Sequence, residues 1–92
     1  MTYEELTTKL LEEGYEEVKL FVDYDYADAF VGVTTDNRAV YDYDKMVAWL
    51  MTKEGFTEEE AVEWIDYNTI RALPYYADAP IILERNFEEE SK

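Results

Sequence analysis

An α+β domain is expected, on three observations. Two segments carry apolar residues at helical spacing behind capping-box pairs, Thr2 with Glu5 and Thr57 with Glu60. Between them, residues 16–41 hold apolar runs rich in Val and Phe, broken by Asp and Asn. The chain has 92 residues, 48% of them apolar or aromatic, enough for one modest core without disulfides or metal. The expected architecture is an N-terminal helix, a three-stranded antiparallel meander and a helical hairpin packed on one sheet face. A fourth strand is available near the C-terminus. Residues 1–86 are expected as a single compact domain and 87–92 as a frayed acidic tail.

The first helix is read from Thr2 to Gly14. Tyr3, Leu6, Leu10 and Leu11 share a face, and Gly14 suits the position just after a helix. In "EEVKLFVDY", residues 16–24, Val18, Leu20 and Val22 alternate with Lys19, Phe21 and Asp23, as in a strand. "DAFVGVTT", residues 28–35, is the next strand, with Gly32 allowing a bulge or a close approach. Asp36 and Asn37 form the turn, and Ala39 to Tyr41 the third strand.

A second helix starts at Asp42 or Asp44 and ends at Gly55, with Met46, Val47, Leu50 and Met51 as its apolar stripe. A third follows from Thr57, with Glu58 and Glu59 complementing the positive end of the helix dipole. Ala61, Val62 and Ile65 face inward. "NTIRALPYY" offers one further helical turn, stopped before Pro74, and "APIILE" can return as the fourth strand.

Composition excludes several activities. With no Cys and no His, the chain has no disulfide, no thiol nucleophile, no Ser-His-Asp triad and no ordinary zinc site. Its three glycines are isolated at 14, 32 and 55, so there is no phosphate loop. No window approaches the roughly 20 apolar residues of a membrane span. "DYDYADAFVGVT" begins as a calcium loop would, but Asp28 stands where glycine is needed and Thr34 where a bidentate Glu is needed. No catalytic residue, metal or cofactor is expected, and the location expected is the cytoplasm of a bacterial host.

Charge is the strongest signal. Twenty-three Asp and Glu against eight Lys and Arg give a net charge of -15. Solubility asks for a magnitude of about 2–8 in a small domain. Such a surface repels nucleic acid and anionic lipid. The helical hairpin cannot be a DNA-reading helix-turn-helix, because its second helix carries Glu58, Glu59, Glu60, Glu63 and Asp66 and no cation. The same carboxylates can present a field comparable to a nucleic-acid backbone to a basic protein channel.

Nine tyrosines add potential interface anchors. The candidate partner-binding residues therefore combine both features: Asp23, Tyr24, Asp25, Tyr26 and Asp28 in the first cluster, Asp42, Tyr43 and Asp44 in the second, Glu58 and Glu59 in the third. Arg71, on an apolar stretch, is expected to pair with a carboxylate such as Asp66 or Asp44 and lock the last turn to the hairpin.

Residues 41–82 resemble a group of small acidic proteins of gut and Gram-positive bacteria and their phages. The shared phrases are the Tyr41–Asp44 alternation, Gly-x-Thr-x-Glu-Glu-Ala from Gly55 to Ala61, and Asn-Thr-Ile-Arg-Ala-Leu-Pro-Tyr from Asn68 to Tyr75. Phe56 stands where methionine is expected, and Tyr76–Asp78 where a glycine-containing turn is expected. The resemblance assigns no catalytic or binding residue. By analogy in size and charge with anti-CRISPR and anti-restriction inhibitors, the expected function is non-enzymatic block of a basic nucleic-acid-binding protein, such as a Cas effector or restriction enzyme. The other expectation is a structural or regulatory interaction domain, monomer or homodimer, without mimicry.

Overall fold

The computed structural model describes residues 1–22 and 24–85. Helix α1 spans Tyr3–Glu12, strand β1 Phe30–Val33 and strand β2 Ala39–Asp42. Helix α2 spans Tyr43–Glu54 and helix α3 Glu58–Trp64. One π-helical turn, Ile65–Thr69, and a 3-10 segment, Ile70–Tyr75, lead to strand β3, Ile81–Leu83. The chain is thus α+β, and Asp23 and the tail expected at 87–92 lie outside the described residues.

Each helix begins where its side chains satisfy orphan N–H groups. The Thr2 hydroxyl accepts the Glu5 N–H at 3.1 Å, and the Glu5 carboxylate accepts the Thr2 N–H at 2.8 Å. Thr57 and Glu60 repeat this at α3, at 3.1 and 2.9 Å. Asp42 closes β2 and caps α2 in one residue, its carboxylate accepting the Lys45 N–H at 3.0 Å. Gly55 ends α2 at φ 72°, a left-handed conformation that costs a residue with a Cβ but not glycine. Of the apolar face expected on α1, Leu6 and Leu10 are buried and Leu11 is exposed.

The sheet differs from the expected meander. Its order is β1-β2-β3, with β1 antiparallel to β2 and β2 parallel to β3. Val40 pairs with Ile81, Tyr41 with Ile82 and Asp42 with Leu83. The parallel pairing follows from chain order. β2 runs straight into α2, and the chain returns only after α3 and the turns beyond it, a crossover of the kind parallel strands require. The C-terminal run expected as a fourth strand is therefore the third. The β1–β2 register shifts between Phe30 and Gly32, the bulge allowed for at Gly32. The turn at Asp36-Asn37 is present, with Asn37 at φ 63°.

Among the described residues, the strand expected at 16–24 does not form. Tyr24 and Tyr26 adopt left-handed backbone, φ 58° and 49°, which no ladder accommodates. The Phe21 N–H donates not to a neighbouring strand but to the buried Tyr41 hydroxyl, at 3.3 Å. Left-handed backbone at a bulky residue costs on the order of 1–2 kcal/mol. Burying a large side chain returns about 1.5–3 kcal/mol, so turning the Tyr26 ring inward, where it is 1% exposed, offsets the strain. The core comprises Tyr26, Ala29, Ala39 and Tyr41 from the loop and sheet, and Met46, Val47, Leu50, Ala61 and Ile65 from the helices.

Candidate functional site

The alternating Asp-Tyr segments are mostly interior structure. Tyr26 and Tyr41 are buried, and Tyr24 and Tyr43 are half-buried against the core. Tyr24 packs among Trp64, Trp49 and Phe56, with ring centroids 5.0, 6.0 and 6.3 Å away. Tyr26 continues the stack to Trp49 at 5.3 Å and to Phe21 at 5.7 Å. Phe21 meets Tyr41 at 4.7 Å, and Tyr41 meets Phe30 at 5.8 Å. Edge-on and tilted contacts of this kind are the favoured geometry for aromatic quadrupoles. One network of rings therefore links the sheet to the outer end of α3.

The acids of these segments divide. Asp42 is 3% exposed and serves as the cap of α2, so it is not a surface contact. Asp25 is half-buried and accepts the Ala27 N–H at 2.9 Å. Asp28 is exposed but accepts the terminal amine of Met1 at 2.8 Å. That bond holds the Asp28 carboxyl below the usual carboxylate range and raises the amine. Asp44, Glu58 and Glu59 are exposed. They are what remains of the expected partner-binding set as free surface, together with Tyr43 at the border of the core.

Burial also acts on the phenols. Tyr41 is pushed well above its ordinary value by burial, only partly opposed by the Phe21 N–H. Burial raises Tyr26 too, against the Thr69 hydroxyl. Tyr24 is raised by its packed surroundings and then by the Glu54 carboxylate, and Tyr43 by burial and then by Asp66. All four favour the neutral phenol, which suits packing rather than proton transfer at neutral pH.

The exposed aromatics lie elsewhere, after α3. Tyr67, Tyr75 and Tyr76 are 60%, 90% and 57% exposed. The π turn is closed by the Ile70 N–H donating to the Ile65 carbonyl. It sends Ile65 and Thr69 inward and leaves Asp66, Tyr67 and Asn68 outside. Such wide turns recur at functional sites. Arg71 lies with its guanidinium 4.4 Å from the centroid of the Tyr67 ring. This cation–π contact takes the place of the ion pair expected with Asp66, and no Arg71–carboxylate pair occurs among the described residues. A guanidinium stacks on a ring without being stripped of water, which suits an exposed segment.

Beside that turn is a pocket of about 300 Å³ lined by Phe56, Glu60, Glu63, Trp64, Tyr67 and Asn68. Three rings form its apolar part and two carboxylates its acidic part. One Glu60 oxygen is engaged by the capping box, whereas Glu63 has no partner among the described residues. A second groove, of about 430 Å³, lies between residues 19–22 and the 68–76 segment. Lys19 lines it and donates to the Ala77 carbonyl at 2.7 Å, which gives this groove a cation of its own.

No group of acids able to hold a metal ion occurs among the described residues, and none of their helices is long and apolar enough to cross a membrane. No family model, curated protein or solved structure matches the chain.

Tyr75 and Tyr76 lie outside the expected helices and Glu63 among the acids of the third, but the expected partner-binding set includes none of them, nor Tyr67. Glu63 and Tyr67 are four residues apart, and Trp64 and Tyr67 three apart, spacing that puts them on one helical face. That signal was present. Exposure of Tyr75 and Tyr76 was not legible, because it depends on where the chain runs after Pro74.

Proposed function

We propose that this chain is a non-enzymatic acidic inhibitor, of phage or mobile-element origin, that binds a basic nucleic-acid-binding protein by presenting a nucleic-acid-like field of charge. A host nuclease of the Cas or restriction type is the partner class. One observation carries the reading. Every described carboxylate is exposed except half-buried Asp25 and buried Asp42. Three of the cations are also turned to groups other than carboxylates. Lys19 and Arg38 donate to the carbonyls of Ala77 and Ala79, and Arg71 lies on a ring. A field of one sign left at the surface steers a partner of the other sign.

The test is capture of partners from bacterial lysate on the immobilised chain, at about 50 mM and about 200 mM salt, with duplex DNA as competitor. Capture of nucleic-acid-binding proteins that DNA displaces and salt weakens is expected. Capture indifferent to both DNA and salt overturns the reading.

A second reading, an interaction domain that self-associates, is favoured by the exposure of Tyr67, Tyr75 and Tyr76. Its salt dependence has the opposite sign. Two copies of charge -15 repel, so screening promotes their association. Sedimentation velocity across the same salt range separates the two readings.

A further inference from the structure

We infer that the pocket formed by Phe56, Trp64 and Tyr67 with Glu60 and Glu63 binds the guanidinium of an arginine side chain on a protein partner. The inference rests on the inhibitor reading for the partner's basic character, and it names the side chain that is read.

The pocket's chemistry matches a planar cation. Aromatic faces attract a guanidinium through their quadrupole, most strongly for Trp. A carboxylate beside the rings supplies the directional, charge-assisted hydrogen bonds that the guanidinium fork makes in pairs. Glu63 lines the pocket with no partner among the described residues, and the second Glu60 oxygen is left over by the capping box. At about 300 Å³ the space admits one side chain rather than a peptide segment. Lysine fits less well, because its compact, strongly hydrated ammonium has neither a plane to stack nor a fork to pair.

Two further observations support the assignment. The Tyr67 ring faces a guanidinium, that of Arg71 at 4.4 Å, and Arg71 itself does not line the pocket. The rings of the pocket are also held in advance. Phe56 and Trp64 stand 6.1 Å apart and both pack on Tyr24, whose own position is set by the core. A pre-organised aromatic wall loses little entropy on binding.

The experiment is an NMR titration of the full chain with N-acetyl-arginine amide, with N-acetyl-citrulline amide as the uncharged isostere. Saturable shifts at Glu63, Tyr67 and the Trp64 indole are expected with arginine and not with citrulline. Glu63→Gln and Tyr67→Leu, both at exposed positions, should each weaken the arginine probe by about two- to fivefold. Glu13→Gln, on α1, should leave it unchanged. Equal shifts with citrulline, non-saturating shifts spread over all acidic residues, or equal weakening by Glu13→Gln would overturn the assignment. DNA-competed capture by the unaltered chain, with no binding of the arginine probe to it, overturns the pocket and leaves the inhibitor reading standing. Arginine binding at the pocket without DNA-competed capture supports the pocket and removes the wider reading.

Discussion

The Tyr26 hydroxyl lies 3.4 Å from the Thr69 hydroxyl, and both groups are buried. The contact ties the left-handed loop before β1 to the π turn that presents Tyr67, two segments 43 residues apart. Tyr26→Phe and Thr69→Val should each destabilise by about 1–3 kcal/mol, since each takes away one partner of a buried hydroxyl pair. The double variant should lose less than the sum, as the shared bond is lost only once. Urea denaturation of the four proteins gives the coupling directly, and strict additivity would rule the bond out.

Asp42 is expected to matter for folding and not for binding. Asp42→Ala removes the α2 cap at a buried position and should cost about 0.5–2 kcal/mol. Asp42→Asn keeps a capping oxygen and should recover most of that loss. Equal destabilisation by both variants in thermal unfolding would count against capping. The exposed Asp44→Asn should leave stability within about 0.5 kcal/mol.

Alkaline pH should unfold the protein through its tyrosines. The ordinary phenol value is 10.0, and Tyr24, Tyr26, Tyr41 and Tyr43 are all raised above it in the folded state. A raised folded value means that the folded state holds protons the unfolded state has released. Stability from these groups is therefore complete below 10.0 and falls as pH rises through the folded values. Ultraviolet titration of phenolate should show a late component that appears together with loss of far-ultraviolet circular dichroism. A single early transition of all nine tyrosines, with the fold intact, would contradict the burial assigned to them.

Salt should stabilise the fold. Exposed carboxylates dominate the surface, and Lys19, Arg38 and Arg71 are directed at carbonyls or a ring. Raising ionic strength from about 0.01 M to about 0.1 M shortens the screening length from about 30 Å to about 10 Å, which relieves repulsion across much of the molecule. The melting temperature should rise over that range and rise less in variants that replace several exposed Glu by Gln. A melting temperature that falls with salt would imply that attractive ion pairs hold the fold.

The legible part of the candidate site was its acidity and its helix. The Thr57–Glu60 box sets the start of α3, and the spacing of Glu63, Trp64 and Tyr67 puts them on one face. Its geometry was not legible. The pocket needs Phe56 folded back beside Trp64 and a π turn after it, and the turn is held by a hydroxyl from a distant loop. The repeated Asp-Tyr pattern misled in the other direction. Read along the chain it suggests a surface motif, whereas left-handed backbone at Tyr24 and Tyr26 turns those rings into the core.

Three helices, the capping boxes of the first and third, and the net charge could be written down from the chain alone, while the cap of the second stood open between Asp42 and Asp44. Each cap is a bond between residues three positions apart, as in Thr2 with Glu5, Asp42 with Lys45 and Thr57 with Glu60, and net charge is a sum over residues. Strand partnership belonged to the tertiary structure. Segment 16–24 and segment 81–83 both read as apolar strands, and only the second joins the sheet, beside β2. The Tyr41 hydroxyl took the Phe21 N–H, and the crossover through α2 and α3 delivered Ile81–Leu83 parallel to β2. Which distant segment joins a sheet is decided by packing and loop closure, and neither is encoded at the spacing of a few residues.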